Sequence, residues 1–403
     1  MKVITDEKRI DEVLMRGVIS NILPTKEDFK KLLMSGKRIK IYIGFDATAN
    51  TLHLSHAKNI ILLEEFRKLG HEAILLFGDF TARIGDPSDQ VGTRKILSAK
   101  EVLQNVKSWK GQIENLMDFK NKQNPPRVLF NSKWLAKMTM EEVLELASHI
   151  TVGQMIERDM FQKRMKEGKY IFLHEFLYPL MQGYDSVAME VDAELCGTDQ
   201  IFNALMGRTL LRKIKSKEKF VVAVNLMENP KTGALMSKSN GTGVFLNTSP
   251  SEMFGAIMAQ PDEMIEVLLI NCTRVSKEEI AEIIKKGPFE AKKKTASEII
   301  KIIFNEKKAK EAEENFVKTF QKKEIPDEMQ EVKAKSGELL SEVLVKEKIL
   351  SSKGEWRRLV EGNAIHDLEK NENIKTPNFK ISENLTLKIG KKTFLKILVL
   401  AVT

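Results

Sequence analysis

The chain has 403 residues, 42% hydrophobic and 30% charged, with 65 Lys and Arg against 56 Asp and Glu for a formal net charge of +9. That length and balance suit a globular protein of two or three domains and exclude a disordered or fibrous chain. The basic excess is compatible with a phosphate-rich partner, and two cysteines, Cys196 and Cys272, exclude a disulfide framework or a four-thiolate zinc site and point to a reducing, cytoplasmic setting.

The opening stretch, MKVITDEKRIDEVLMRG, lacks the apolar core of a signal peptide, and the late apolar run Ile397–Val402 is too short for a bilayer. No membrane association is expected, and that last run reads as a terminal strand. Residues 1–38 read as helical, with a turn at Leu23-Pro24-Thr25. Ile39, Ile41 and Ile43 then mark a short buried strand running into Gly44, with Asp46 and Thr48 just past its carboxyl end. Open parallel sheets bind nucleotides at that place. His53 and His56 open an amphipathic helix with Ile60, Leu63 and Phe66 on its apolar face, setting two imidazoles beside N-terminal backbone N–H groups that suit phosphate. Taken alone, this pair equally fits a surface helix or two metal ligands.

Gly70 ends that helix and Ala73–Phe77 makes a second strand, so strand–helix–strand predicts a crossover in a parallel sheet. The glycine- and proline-bearing loop Gly78–Ser88 follows, in which Asp86 either faces the same crevice or serves as a turn or cap residue. A helix over 99–120, a break at Asn124-Pro125-Pro126 and a strand Arg127–Phe130 come next; Asn131 and Trp134 beyond it read as structural. Of two further helices, 140–148 and 153–167, the second carries Arg158, Lys163, Arg164 and Lys166, which read as a solvated basic face.

Tyr178, Gln182 and Asp185 stand at i, i+4 and i+7 of an otherwise apolar helix, the pattern of a binding pocket or of a buried hydrogen-bond network. A strand is predicted over Val187–Leu195, with Gly197, Asp199 and Gln200 at its carboxyl edge, where Thr198 or Asp199 also suits an N-cap. Cys196 reads as a packing residue. After a strand Phe220–Val224, a loop holds Leu235-Met236-Ser237-Lys238-Ser239-Asn240-Gly241. From Pro250 to about Phe320 the pattern is helical, Ile325–Glu328 reads as a linker, and the remainder predicts two short helices, Leu339–Lys346 and Ser352–Val360, followed by strands such as Thr386–Ile389.

The run Tyr42-Ile43-Gly44-Phe45-Asp46-Ala47-Thr48-Ala49 with His53-Leu54-Ser55-His56, and the later Met236-Ser237-Lys238-Ser239, resemble the two nucleotide-binding motifs of the class I aminoacyl-tRNA synthetases, in the form found in bacterial tyrosyl-tRNA synthetases. Ser352–Ile365 resembles the alpha-L-type RNA-binding module of the same family, so the resemblance spans nearly the whole chain. It implies an α/β fold with a Rossmann-like parallel-sheet catalytic domain over 1–245, an α-helical anticodon-stem-binding domain over 246–325 and a small α+β RNA-binding domain over 335–403. The implied activity joins L-tyrosine to ATP as tyrosyl adenylate and transfers tyrosine to the 3′-terminal ribose of tRNA(Tyr).

Carried onto the matching residues, the resemblance assigns Thr48, His53, His56, Arg94 and Lys238 to the triphosphate and its leaving pyrophosphate. It assigns Tyr42, Asp86, Tyr178, Gln182, Asp185 and Gln200 to tyrosine, with Asp185 and Tyr42 at the phenol. The ATP site adds Gly44, Asp46, Gly197, Asp199 and Ser239 to the two histidines and Lys238; Lys353, Arg357 and Arg358 would track RNA phosphates. Mg²⁺ would accompany ATP without a dedicated protein metal site, and a homodimer is implied. Two residues depart from the motifs. Ser55 stands for a glycine and narrows the approach of adenine, and Leu235 stands for the first lysine of the loop motif, with Lys231 nearby as a replacement cation. Two other readings are a catalytically weakened paralogue that binds RNA and a tryptophanyl synthetase; the retained Tyr42 and Asp185 favour tyrosine activation.

Overall fold

The computed structural model describes residues 2–86, 97–236, 242–318, 329–370, 372–390 and 393–400. It divides into two units, Met1–Ala309 and Lys310–Thr403. The first is built on six strands, β1 (Ile19–Leu23), β2 (Lys40–Asp46), β3 (Glu72–Gly78), β4 (Arg127–Phe130), β5 (Ala193–Gly197) and β6 (Phe220–Val224). Their order is β1-β6-β5-β2-β3-β4, with β1 antiparallel to β6 and the other pairs parallel. Ile41, Tyr42 and Ile43 are all buried, because helices cover both faces of a parallel sheet and leave its central strands no wet side.

The crossovers are helical. α1 (Glu7–Leu14) and α2 (Lys26–Met34) flank β1, α3 (Leu54–Lys68) joins β2 to β3, and α4 (Ala99–Ile113) leads to β4. α5 (Ser132–Leu135), α6 (Met140–Ser148), α7 (Val152–Ile156), α8 (Asp159–Lys166) and α9 (Leu173–Met189) lie between β4 and β5, and α10 (Ile201–Lys215) between β5 and β6. From β2 the chain adds β3 and β4 on one side, then returns to add β5 and β6 on the other. That reversal opens a crevice beyond the carboxyl ends of β2 and β5, the usual ligand position in such sheets. Four further helices complete this unit up to the division: α11 (Pro250–Met258), α12 (Met264–Cys272), α13 (Lys277–Lys285) and α14 (Pro288–Ile303), with α15 (Glu306–Phe316) containing the division point.

Three local expectations are corrected. Residues 1–38 are not all helical: Ile19–Leu23 is an edge strand whose partner, β6, lies far along the chain, which no local periodicity reveals. The strand predicted over Val187–Leu195 begins at Ala193, because α9 continues to Met189 and ends at Glu190 in the left-handed conformation, φ 50°. The 153–167 helix is two helices, broken between Ile156 and Asp159.

From Gln330 on, the described residues of the second unit form a five-stranded sheet and two helices. β7 (Gln330–Lys335), α16 (Leu340–Lys346), α17 (Lys353–Glu361), β8 (Ile365–Asp367), β9 (Glu372–Asn373), β10 (Leu385–Ile389) and β11 (Thr393–Leu400) follow in that order, with sheet order β7-β11-β10-β8-β9. Its own core gathers Leu340, Leu344, Trp356, Leu387, Leu395 and Ile397. Trp356 is 1% exposed and its indole N–H donates to the Pro377 carbonyl at 2.7 Å, so both its apolar area and its polar atom are satisfied. Trp356→Ala should destabilise this unit by about 3–5 kcal/mol. Hydrogen exchange will then speed up at β10 and β11 amides and stay unchanged at β2 and β3.

Candidate active site

A cavity of about 370 Å³ opens at the sheet reversal. Tyr42, Gly44, Asp46 and Thr48 reach it from β2 and the turn after it, His53, Ser55, His56 and Lys58 from the start of α3, and Asp86 from the loop beyond β3. Tyr178, Gln182 and Asp185 come from one face of α9, Glu194 and Gly197 from β5, and Asp199 and Gln200 from the turn leading into α10. Every residue nominated from the sequence for ATP or tyrosine that lies within the described residues lines this cavity; Arg94, Lys238 and Ser239 lie outside the described residues. Lys353, Arg357 and Arg358 belong to the second unit, exposed on α17, with Lys353 paired to Glu342 at 2.7 Å.

The tyrosine-side residues are tied together by hydrogen bonds. Asp46 accepts from Thr81 Oγ1 at 2.6 Å and from the Tyr178 hydroxyl at 2.9 Å. Gly78 is where a side chain cannot be tolerated, because a Cβ there would lie on the Asp46–Thr81 bond. Asp185 is 3% exposed and accepts from Trp134 Nε1 at 2.7 Å and Asn131 Nδ2 at 3.3 Å. Burial pushes its carboxyl well above the usual range, while these two donors pull it back. Asn131 and Trp134, which read as structural, are thus the residues that aim Asp185. Tyr42 donates to or accepts from Ser186 Oγ at 3.1 Å.

Gln200 donates to Asp86 at 2.7 Å, and Asn203 Nδ2 donates to both Gln182 Oε1 and Gln200 Oε1 at 2.9 Å. Arg158 corrects an expectation. It is 6% exposed, its guanidinium meets Asp86 at 3.3 Å and lies over the Phe202 ring, and Arg164 is likewise buried against Glu175. Of the four cations read as a solvated face, Lys163 and Lys166 are exposed, but Arg158, in the break between α7 and α8, and Arg164 are buried against carboxylates. Lys58 is a residue the sequence reading passed over. Its spacing of three from Ser55 puts it on the cavity side of α3, where it donates to Asn59 Oδ1 at 3.0 Å and to the Asn225 carbonyl, and burial lowers its ammonium to about 8.

The two imidazoles sit with ring centroids 4.1 Å apart. Burial lowers His53 to about 4; burial, with His53 beside it, lowers His56 to about 3, so both are neutral at pH 7. His56 Nδ1 accepts the His53 backbone N–H at 3.3 Å, which puts its proton on Nε2 and makes it a neutral donor. The buried Nδ1 of His53 has no hydrogen-bond partner among the described residues. Cys196 is buried and its thiol is pushed far up by burial, which makes it a packing group and not a nucleophile. Lys231 is bonded to Glu263, while Leu235 is 43% exposed and lines the cavity.

A family model described as tRNA synthetases class I (W and Y) matches residues 34–321. The tyrosine–tRNA ligase of Carboxydothermus hydrogenoformans is 42% identical, over 97% of this chain and 98% of its own length. That of Thermotoga maritima is 39% identical, over 98% of both chains. The chain belongs to the class I tRNA synthetases, in the tyrosine–tRNA ligase family. Among solved structures it shares its fold with a C-terminally truncated mitochondrial tyrosyl-tRNA synthetase of Coccidioides posadasii, at TM-score 0.62 and 22% identity over 76% of this chain and 91% of that one. A tyrosyl-tRNA synthetase of Archaeoglobus fulgidus, solved with L-tyrosine, gives TM-score 0.58 and 17% identity over 76% of this chain and 99% of that one.

The lowered histidines have a consequence for stability. Unfolded, they take up protons below about 6.5; folded, His53 and the fully buried His71, between α3 and β3, resist until about 4 and His56 until about 3. Their contribution is complete above pH 6.5 and is lost as pH falls through that window. The thermal midpoint should therefore drop between pH 7 and pH 5, and His56→Asn should make the drop smaller in a scan at both values.

Proposed function

We propose that the cavity activates L-tyrosine with ATP and then passes the tyrosyl group to a tRNA. The carrying observation is the distribution of groups in one cleft: Tyr42 and Asp185 among its buried lining, paired neutral imidazoles at the start of α3, and amide and carboxylate groups of Asp86, Gln182 and Gln200 in a bonded set. Tyrosine–tRNA ligation is the activity of the family to which the chain belongs.

In the first step the tyrosine carboxylate oxygen attacks the α-phosphorus of ATP, and the bond to the pyrophosphate oxygen breaks. In the second, a hydroxyl of the 3′-terminal ribose attacks the carbonyl carbon of the adenylate and AMP leaves. Asp86, Tyr178 and Gln182 hold the ammonium group, Gln200 the carboxylate, and Tyr42 with Asp185 the phenol. Thr48, His53 and His56 donate to the phosphates, Gly44, Asp46, Gly197 and Asp199 frame the nucleoside, and Arg94, Lys238 and Ser239 meet the departing pyrophosphate. Catalysis then rests on positioning and on donors aimed at developing charge, with no covalent enzyme intermediate. The unpartnered His53 Nδ1 supports a ligand on the imidazole side. Mg²⁺ would arrive as an ion carried by the nucleotide, with phosphate oxygens and water among its ligands.

The helices after residue 246 would meet the anticodon stem, and α17 with Lys353, Arg357 and Arg358 would follow RNA phosphates. A homodimer is supported by large apolar side chains left in solvent from α6 to α9: Met140, Leu144, Val152, Tyr170, Phe172 and Leu173, each at least 60% exposed. Among the described residues no helix is long and apolar enough to cross a membrane, and a cytoplasmic location suits the tRNA substrate.

ATP–pyrophosphate exchange tests the reading with tyrosine, tryptophan and phenylalanine in turn. Exchange with tyrosine is expected, and Asp185→Asn should cut kcat/KM for tyrosine by roughly 10- to 100-fold, because it disturbs a buried polar set. Tryptophan-only exchange would overturn the specificity, and none with any amino acid from folded protein would favour an RNA binder. In the same assay Leu235→Lys should raise kcat by roughly tenfold, about 1.4 kcal/mol of added stabilisation of the leaving pyrophosphate. An unchanged rate would mean the lost cation has no kinetic role.

A further inference from the structure

Beneath the cavity lies a lysine that no step above uses. Lys219, just ahead of β6, is 0% exposed; its ammonium pairs with Glu194, itself 3% exposed, and donates to Ser186 Oγ at 2.9 Å. Glu194 in turn accepts from Gln182 at 3.4 Å, and Ser186 meets the Tyr42 hydroxyl at 3.1 Å. The ammonium also lies 5.8 Å from the centre of the Tyr42 ring. Room for it depends on Gly207 of α10, where a Cβ would come within 2.7 Å of both Lys219 Nζ and Ser186 Oγ.

A buried cation is expensive unless fully paired, so this one needs an account. The chemistry of the donors supplies it. Lysine has only donors, so of Ser186's two side-chain partners only the Tyr42 oxygen can take the Ser186 proton. Glu194 is the other acceptor beside Tyr42: it hydrogen-bonds the Tyr42 hydroxyl and is paired with Lys219 as well, so phenol and ammonium share one carboxylate. Burial, Glu194 and Asp185 all push the Tyr42 phenol well above its ordinary range, so it keeps its proton. With Ser186 donating to Tyr42 and Glu194 shared with Lys219, that proton is held weakly enough to turn from Glu194 to a substrate in the pocket.

We propose that Lys219 is a positioning residue for tyrosine recognition: by engaging both Ser186 and Glu194 it turns the Tyr42 O–H away from them and toward the phenolic oxygen of the substrate. The inference rests on the reading of this cavity as a tyrosine pocket. Without Lys219, Ser186 is free to accept the Tyr42 proton, and the phenol loses its donor while Asp185 still accepts. The effect is confined to one end of the substrate, which separates it from a general loss of packing.

The test uses the full chain and tyrosine-dependent ATP–pyrophosphate exchange. Lys219→Met alone would leave Glu194 buried and unpaired, so the informative variant is Lys219→Met with Glu194→Gln, alongside Ser186→Ala and Tyr42→Phe. For the double variant the KM for tyrosine should rise about tenfold, the scale of one lost hydrogen bond. The KM for ATP and the inhibition constant of L-phenylalanine, which has no phenol oxygen, should stay within about twofold. A wild-type KM for tyrosine in the double variant, or a parallel shift of all three constants, overturns the inference. If Tyr42→Phe itself leaves the tyrosine KM unchanged, the pocket reading fails and takes the inference with it.

Discussion

Four carboxylates, Asp46, Asp86, Asp185 and Glu194, line one cavity, and largely buried acids survive together only when each has donors of its own. The donors come from stretches of the first unit far apart in the chain. Thr81 follows β3, Asn131 and Trp134 follow β4, Arg158 precedes α8, Tyr178 and Gln182 stand on α9, Gln200 leads into α10 and Lys219 leads into β6. Displacing any one element strands an acid in a dry place. The architecture is thereby held in a single arrangement by the same groups that would receive an amino acid, and stability and recognition draw on one network.

The other side of the cavity follows a different logic. Its imidazoles are neutral and packed ring against ring, so they can contribute directed N–H donors but little net charge. Lys58 has a lowered ammonium held by Asn59 and the Asn225 carbonyl, and Lys231 is bonded to Glu263. Replacement of the missing motif cation at Leu235 by Lys231 would therefore require breaking that pair.

Much of this was legible before any coordinates. β2 carries Gly44 near its end, β3 runs into a loop at Gly78, and Tyr178, Gln182 and Asp185 repeat at helical spacing, so the chain itself announces where polar groups meet the sheet edge. What escaped was whatever depends on distant partners. β1 has a half-exposed pattern between two helices and looks like neither, and the stretch after Asp185 is apolar enough for either a strand or a helix end. Arg158 and Lys219 look like surface charges because sequence shows a cation but not the carboxylate that folding brings to it. Trp134 and Asn131 offered only their position just past a strand, too weak a sign of the acid they hold.

The pairing of β1 with β6 also sets an order of events. Ile19 through Leu23 leave the ribosome early, yet the strand that closes against them ends at Val224, roughly 200 residues later. Until then the nascent chain carries a strand with no mate, and β5, laid down between β2 and β6, has one open side. Within this sheet β1 has β6 alone as a neighbour, so its pairing must wait for a strand made far later in the chain.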